Sequence, residues 1–355
     1  MRRLTDEARE LLRATIGQPR RRGELQQLGL RDHDLRRLLR SKTLQRVHQQ
    51  YVDGALEARL ATIICAQAAH PRSVISHFTA AELTELRTWA DTKRDDCPPT
   101  KATWLTCVPG KRRRNQKSED VVLRRAGLTA ADLQRHRGLL LTTDARTVVD
   151  LARELPLREA IVTVDHALRV ATSRADLQLV LDRQFGWPGI QRARTAIAFG
   201  DPRSESALES IARVSFAAAG LPEPILQAQF WDGEQWLPER TDFWFPRFRT
   251  VVEADGLAKY EATTASERRR LLRQSFVRDQ GLADRDVEIV HFGWEDVVLT
   301  PMQLSQRLQA AFARGERRTS DQPVWRTTDP NDRRLWPQLG ADPYDFEYDY
   351  TFPDL

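Results

Sequence analysis

ERTDFWFPRFRTVVEADG, residues 239–256, decides how the C-terminal half of this 355-residue chain is read. Two apolar runs, TDFWF and TVVEA, flank Pro-Arg-Phe-Arg, and runs of this kind around a turn read as paired strands. With the turn on Arg247 and Phe248, opposed residue numbers keep a constant sum in an antiparallel pair, so Asp242 faces Glu253. Asp255 lies two positions past Glu253, and side chains alternate along a strand, so it projects to the same face. Three carboxylates at one end of two strands repel one another and resist ionisation unless a cation sits among them. Oxygen-only donors favour Mg²⁺ or Mn²⁺ over zinc.

The flanking segments supply the rest of a hydrolytic site. RSESALESIARVSFAAAGL, from Arg203, reads as an amphipathic helix ending at Gly220. Glu205 and Glu209, four apart, share a helical face, and Glu209 is the candidate fourth oxygen donor. Lys259 follows Gly256, where it would stabilise an attacking hydroxide or a pentacovalent phosphate. The next segment, SERRRLLRQSFVRDQG, reads as a helix whose Arg268, Arg269, Arg270 and Arg273 offer contacts to phosphates. Carboxylates around a divalent ion, a lysine and a basic helix are the parts of metal-assisted phosphodiester hydrolysis. Taken singly each has a plainer reading: Glu-x-Asp on a strand as a solvated strand end, an arginine run as an exposed helix face.

Residues 200 to 312 follow the order helix, three strands, helix, strand, helix, the last helix starting with Thr300 as N-cap and Pro301 at its first position. With RSESALES, RTDFWFP, VVEADG and VEIVHFGWEDV, this order resembles the PD-(D/E)xK nuclease superfamily, and within it the very-short-patch-repair-like branch. The resemblance implies that Asp242 is the motif aspartate, Glu253 the following acid and Glu209 the helix glutamate, with Glu205 the weaker match. It implies metal held by Asp242, Glu253 and Glu209, a catalytic set that also includes Asp255 and Lys259, and a 5′-phosphate product. Asp255 stands where the superfamily has lysine; the acid-x-Asp-Gly pattern of that branch accommodates it. The departure leaves open whether Lys259 is a migrated lysine and whether the site cuts.

The N-terminal stretch carries a different signal. Residues 1–55 hold 13 Lys and Arg against 7 Asp and Glu, more than the +5 net charge of the whole chain. Such concentration is an electrostatic footprint for DNA. A helix capped at Thr5 and stopped at Gly17, a short helix in RGELQQLGL, a basic helix in RDHDLRRLLRSKTL and a strand in LQRVHQQYVDG give the order of a winged helix-turn-helix. Its third helix would place Arg31, His33, Arg36, Arg37 and Arg40 at phosphates or guanine edges, with Arg46 and His48 on the ribbon touching the backbone. The plainer alternative is a charged protein-docking module.

This stretch, with SVISHFTAAEL and TTDARTVVDLAREL, resembles AbiEi-family antitoxins over residues 20 to 195. The wing His48-Gln49-Gln50-Tyr51-Val52 lacks the glycine usual there. The resemblance implies DNA binding, autoregulation and a bacterial defence or toxin–antitoxin setting with a cognate toxin or defence protein as partner.

The expected architecture is therefore an α/β multidomain (α+β) chain. A winged helix-turn-helix spans 1–55, an α/β middle domain 56–198, a mixed sheet flanked by helices of PD-(D/E)xK type 199–316, and an acidic, aromatic tail 317–355. From 319 onward three arginines face eight acids, so the tail reads as disordered or loosely docked. Cys65, Cys97 and Cys107 form no CxxC pair and read as reduced cytoplasmic thiols. No apolar run reaches transmembrane length and no signal segment follows the start, so the expectation is a cytoplasmic protein without a membrane partner. KRRRNQK from Lys111 reads as an exposed basic loop, His291 as a packed core residue, and Trp244 and Trp294 as core aromatics. The rival functions are an antitoxin-type repressor with a silent nuclease fold, and an interaction scaffold whose acidic tail masks the basic surface.

Overall fold

A computed structural model describes residues 18–47, 49–108, 116–117, 120–255, 279–282 and 284–327. The helix at Thr5, His48, Lys111 and the residues up to 115, Lys259, Arg268, Arg269, Arg270, Arg273 and the tail from 328 lie outside the described residues. The chain is mixed α/β and parts into two compact units, residues 1–85 with 92–147, and residues 86–91 with 148–355. Compactness divides the chain near 147 rather than near 198, and the helices between 157 and 199 fall in the same unit as the C-terminal sheet.

In the first unit, strands β1 (Arg20–Arg21), β2 (Leu44–Val47) and β3 (Gln50–Asp53) form a sheet in the order β1-β3-β2 with helices α1 (Arg22–Gln27) and α2 (Asp32–Arg40). LQRVHQQYVDG is two strands rather than one: Leu44 pairs with Asp53 and Val47 with Gln50. Alternation of apolar and polar residues continues through a tight hairpin, so it does not reveal the reversal. Leu25, Leu30, Leu35, Leu38, Leu44 and Tyr51 make the core. At the start of α2 the Arg31 amide donates to Asp34 Oδ2 at 3.2 Å, while Arg37 and Arg40 occupy the last turn. Acids at the N-terminus and bases at the C-terminus both favour the helix dipole.

The rest of this unit contains α3 (Ala58–Ala69), α4 (His77–Leu83) and strands β4 (Ser73–Ile75), β5 (Thr103–Cys107), β6 (Gln116–Lys117), β7 (Val121–Arg125), β8 (Leu133–His136) and β9 (Leu139–Thr142). The strands form one sheet in the order β6-β7-β5-β4-β9-β8. Its core includes Ile63, Ile75, Leu105, Leu123 and Leu141. Helix α5 (Asp144–Glu154) ends just before Pro156, after which α6 (Leu157–Val170) begins, as the proline requires.

The second unit continues with α7 (Arg174–Arg183), α8 (Ile190–Phe199) and α9 (Ala207–Ala218). Its sheet has the order β13-β12-β11-β10-β14, from β10 (Ile225–Phe230), β11 (Thr241–Phe245), β12 (Thr250–Ala254), β13 (Glu288–Phe292) and β14 (Trp325–Arg326). Phe216 of α9 packs edge-on against Phe243, Phe245 and Phe292, with centroids 5.2, 6.2 and 5.9 Å away. Full burial of such a ring stabilises by roughly 1.5–3 kcal/mol. Trp244, Val251, Leu282 and Val287 build a second apolar cluster with Ala228 and Phe230.

Helices α6 and α9 are tied by a buried ion pair. Arg213 Nη1 lies 2.8 Å from Asp165 Oδ2, its Nη2 donates to the Phe199 carbonyl at 2.6 Å, and the Asp201 amide donates to Asp165 Oδ1 at 2.6 Å. The pair links residues on either side of position 198 within the second unit. Residues after β13 also depart from expectation: Trp294–Val298 is a short helix, α10, because Asp296 accepts from the Gly293 amide at 2.8 Å and caps a turn. Helix α11 (Pro301–Gly315) has proline at its first position, as expected, and packs Phe312 on Phe248 with centroids 4.4 Å apart.

Candidate functional site

The hairpin of β11 and β12 turns through a 3-10 segment, Pro246–Phe248, with Arg249 left-handed at φ 43°. Phe243 pairs with Val252, Trp244 with Val251 and Phe245 with Thr250. The same register, continued by one residue, sets Asp242 opposite Glu253, and directly opposed side chains point to one face. Asp242 Oδ2 accepts the Ala254 amide at 2.8 Å, so its carboxylate stands in for a cross-strand carbonyl at the strand end. Glu253 is only 2% exposed, whereas Asp242 and Asp255 are half-buried.

Glu209 comes from the first turn of α9. Ser206 caps that helix, its hydroxyl accepting the Glu209 amide at 3.1 Å. The Glu209 carboxylate is buried and accepts from the Glu205 amide at 2.9 Å and from Gln227 Nε2 at 3.2 Å. Burial first, and then the charge of Asp242, push its pKa up to about 7. The helix glutamate and the strand aspartate are therefore electrostatic neighbours. Glu205 is different: the helix begins at Ala207, so Glu205 precedes the cap and shares no helical face with Glu209. Its carboxylate meets Arg240 at 2.8 Å.

Gln227 has no counterpart in the sequence reading. Ile225 pairs with Trp244, Leu226 with Phe243 and Ala228 with Thr241, which brings Gln227 to the level of Asp242. It is buried and sits at φ 55°, a left-handed conformation that costs a non-glycine residue on the order of 1–3 kcal/mol. Its amide is spent on Glu209. A lone glutamine in an apolar strand carries no signal of such a role.

His291 corrects the expectation of a packed core residue. Parallel pairing of β12 with β13 sets it beside Glu253. Its Nδ1 is 3.3 Å from Asp255 Oδ1 and its Nε2 3.0 Å from Asp279 Oδ2. The Asp255 contact raises its pKa, against burial, with the Asp279 charge adding to the rise. A parallel partner some forty residues away cannot be read from local spacing. Trp244 is fully buried, as expected, whereas Trp294 is only half-buried and stacks on Trp89 at 5.8 Å.

The acids are oxygen donors of the type a hard divalent cation takes, while the raised Glu209 pKa reflects burial first and the Asp242 charge second. Among the described residues no three His, Cys, Asp or Glu side chains gather closely enough to hold an ion. Glu209 neighbours Asp242 and His291 joins Asp255, while Lys259 lies outside the described residues.

In the first unit α2 buries Leu35 and Leu38 and exposes His33, Arg36 and Arg40, which lie three and four residues apart on one side. Arg31 and Arg46 are also exposed. Arg37 is half-buried and lies 3.2 Å from Asp34, so it is set apart from that stripe. Arg22 forms an ion pair with Asp32, to which Gln26 also donates at 3.0 Å. That pairing holds the Asp32 carboxyl below its usual pKa.

No family model matches the chain. It is 35% identical over 181 residues, half of its length, to the uncharacterized proteins MT2308 and Rv2248 of two strains of Mycobacterium tuberculosis. The match covers 64% of each of those proteins. Among the described residues, no helix is long and apolar enough to cross a membrane.

Proposed function

We propose that this chain is a DNA-binding, metal-dependent endonuclease, with a winged helix-turn-helix in its first unit and a PD-(D/E)xK-type site in its second. The observation that carries the reading is the strand register that aligns Asp242 with Glu253 while Glu209 lies close enough to feel the Asp242 charge. Asp242, Glu253 and Glu209 would hold Mg²⁺ or Mn²⁺. Such an ion supplies charge compensation and polarises a phosphoryl oxygen.

The chain's own groups position that chemistry. Asp242 is fixed by the Ala254 amide, and Glu209 by the Glu205 amide and Gln227. His291 holds Asp255 in place beside Glu253. Lys259 is the activating cation by its sequence position alone. His33, Arg36 and Arg40, with Arg31 and Arg46, would hold the duplex through phosphates and groove edges. A cytoplasmic defence or toxin–antitoxin role, with a cognate partner, belongs to the same proposal.

A second reading is favoured by one observation, that no three ligating side chains gather among the described residues. In it the chain is an antitoxin-type repressor whose second unit keeps the nuclease fold without activity. A cleavage assay with Mg²⁺ or Mn²⁺ separates the two. Cleavage by the wild type and its loss in Glu253→Gln, which keeps the shape and removes the charge, supports the endonuclease. DNA binding unaffected by Asp242→Ala, with every substrate left intact, supports the repressor.

A further inference from the structure

Three arginines far apart in sequence meet at Glu205. Arg87 Nη1 donates to the Glu205 carbonyl oxygen at 2.8 Å, and Arg169 Nη1 approaches the same oxygen at 3.4 Å. Arg240 Nη2 reaches the Glu205 carboxylate at 2.8 Å. Only Arg240 has an acidic partner; Arg87 and Arg169 share a neutral carbonyl and meet no carboxylate among the described residues.

This differs from arginines elsewhere in the same unit. Arg158 is paired with Asp91, Arg203 with Asp201 and Arg213 with Asp165. Two guanidinium groups on one carbonyl repel each other, and nothing about holding a carbonyl needs the second. His166 reports the resulting field: its Nδ1 accepts the Arg87 amide at 3.1 Å, and burial followed by the charges of Arg87 and Arg169 lowers its pKa. The cluster adjoins the carboxylates, since the Glu205 amide itself donates to Glu209.

We infer that Arg87, Arg169 and Arg240 form a clamp for the phosphodiester backbone of a nucleic acid entering beside Glu209 and Asp242. The inference rests on reading that site as one that acts on phosphodiesters. A guanidinium carries five N–H donors in a planar fork that matches phosphate oxygens, and each of these arginines spends few of its donors on Glu205. A chain of phosphates is favoured over a single anion because neutralising successive phosphates releases condensed counterions.

The test measures binding of the full chain to a long labelled duplex over a range of salt concentrations, with EDTA present. The double variant Arg87→Gln/Arg169→Gln should make the negative slope of log affinity on log salt shallower by about 1.8, at roughly 0.9 per phosphate contact. Arg169→Gln alone should make it shallower by about 0.9. Arg169 is exposed, so this single variant decides the matter if the double variant unfolds. Arg169→Lys, which keeps the charge, should restore the slope. An unchanged slope in Arg169→Gln overturns the clamp. Inorganic phosphate at matched ionic strength should compete no better than chloride; stronger competition overturns the assignment to a polymer backbone. Cleavage by the wild type is scored separately. A slope loss without any cleavage sinks the hydrolytic reading and keeps the clamp, and cleavage with an unchanged slope does the reverse.

Discussion

Replacing Glu209 with glutamine should stabilise the protein at alkaline pH and leave its stability unchanged at acid pH. The carboxylate is buried beside Asp242, and its pKa rises from 4.5 to about 7. Between those values the folded chain keeps a proton that the unfolded chain has released. Stability therefore falls as pH rises through this window, and the full cost is present above it. At about 1.4 kcal/mol per pH unit, the charged form costs the fold about 3 kcal/mol at alkaline pH. Glutamine keeps an oxygen to accept the Glu205 amide and the Gln227 side chain, and it has no charge to bury. For a unit of this size, about 3 kcal/mol corresponds to a melting-temperature gain of roughly 6–12 °C. Thermal unfolding of both proteins across pH should show the two curves meeting near the lower value and separating toward the upper one. Added Mn²⁺ should raise the wild type more than the variant, because an ion among the carboxylates relieves the same repulsion. A difference that is constant with pH, or a variant less stable than the wild type at alkaline pH, would refute the reasoning.

Other outcomes follow from the same structure. Asp165→Ala leaves Arg213 buried without its carboxylate and should cost about 3–5 kcal/mol in urea unfolding, whereas replacing both partners with apolar residues of similar volume should recover much of the loss. His291 has a raised pKa, so its contribution is complete below the unfolded value and is lost as pH rises through the folded one; His291→Asn should destabilise more near about pH 6 than near about pH 9, read by thermal unfolding. A methyl group at Gly315 would stand 1.7 Å from the Phe248 carbonyl oxygen, so Gly315→Ala should cost about 1–3 kcal/mol or more by displacing the end of α11 from the hairpin turn, read by denaturant titration.

Local chemistry made much of the second unit legible. Pro301 starts a helix after Thr300, and Gly220, left-handed at φ 66°, follows the end of α9. The turn at 246–248 sets the strand register, and so the opposition of Asp242 and Glu253 is a consequence of covalent sequence plus strand geometry. Where a local signal was ambiguous it failed locally: alternation ran through the reversal between β2 and β3, and Glu205 fell just outside the helix it was assigned to.

What the sequence by itself determined were the proline-marked helix boundaries and the pairing of β11 with β12, because such signals involve residues a few positions apart. Only the tertiary structure decided that His291 lies between Asp255 and Asp279, that Glu209 resists ionisation, and that Arg87, Arg169 and Arg240 converge on Glu205. Each of these depends on burial or on the parallel and helical packing of distant segments, and electrostatic interaction falls with separation in space and is indifferent to separation along the chain.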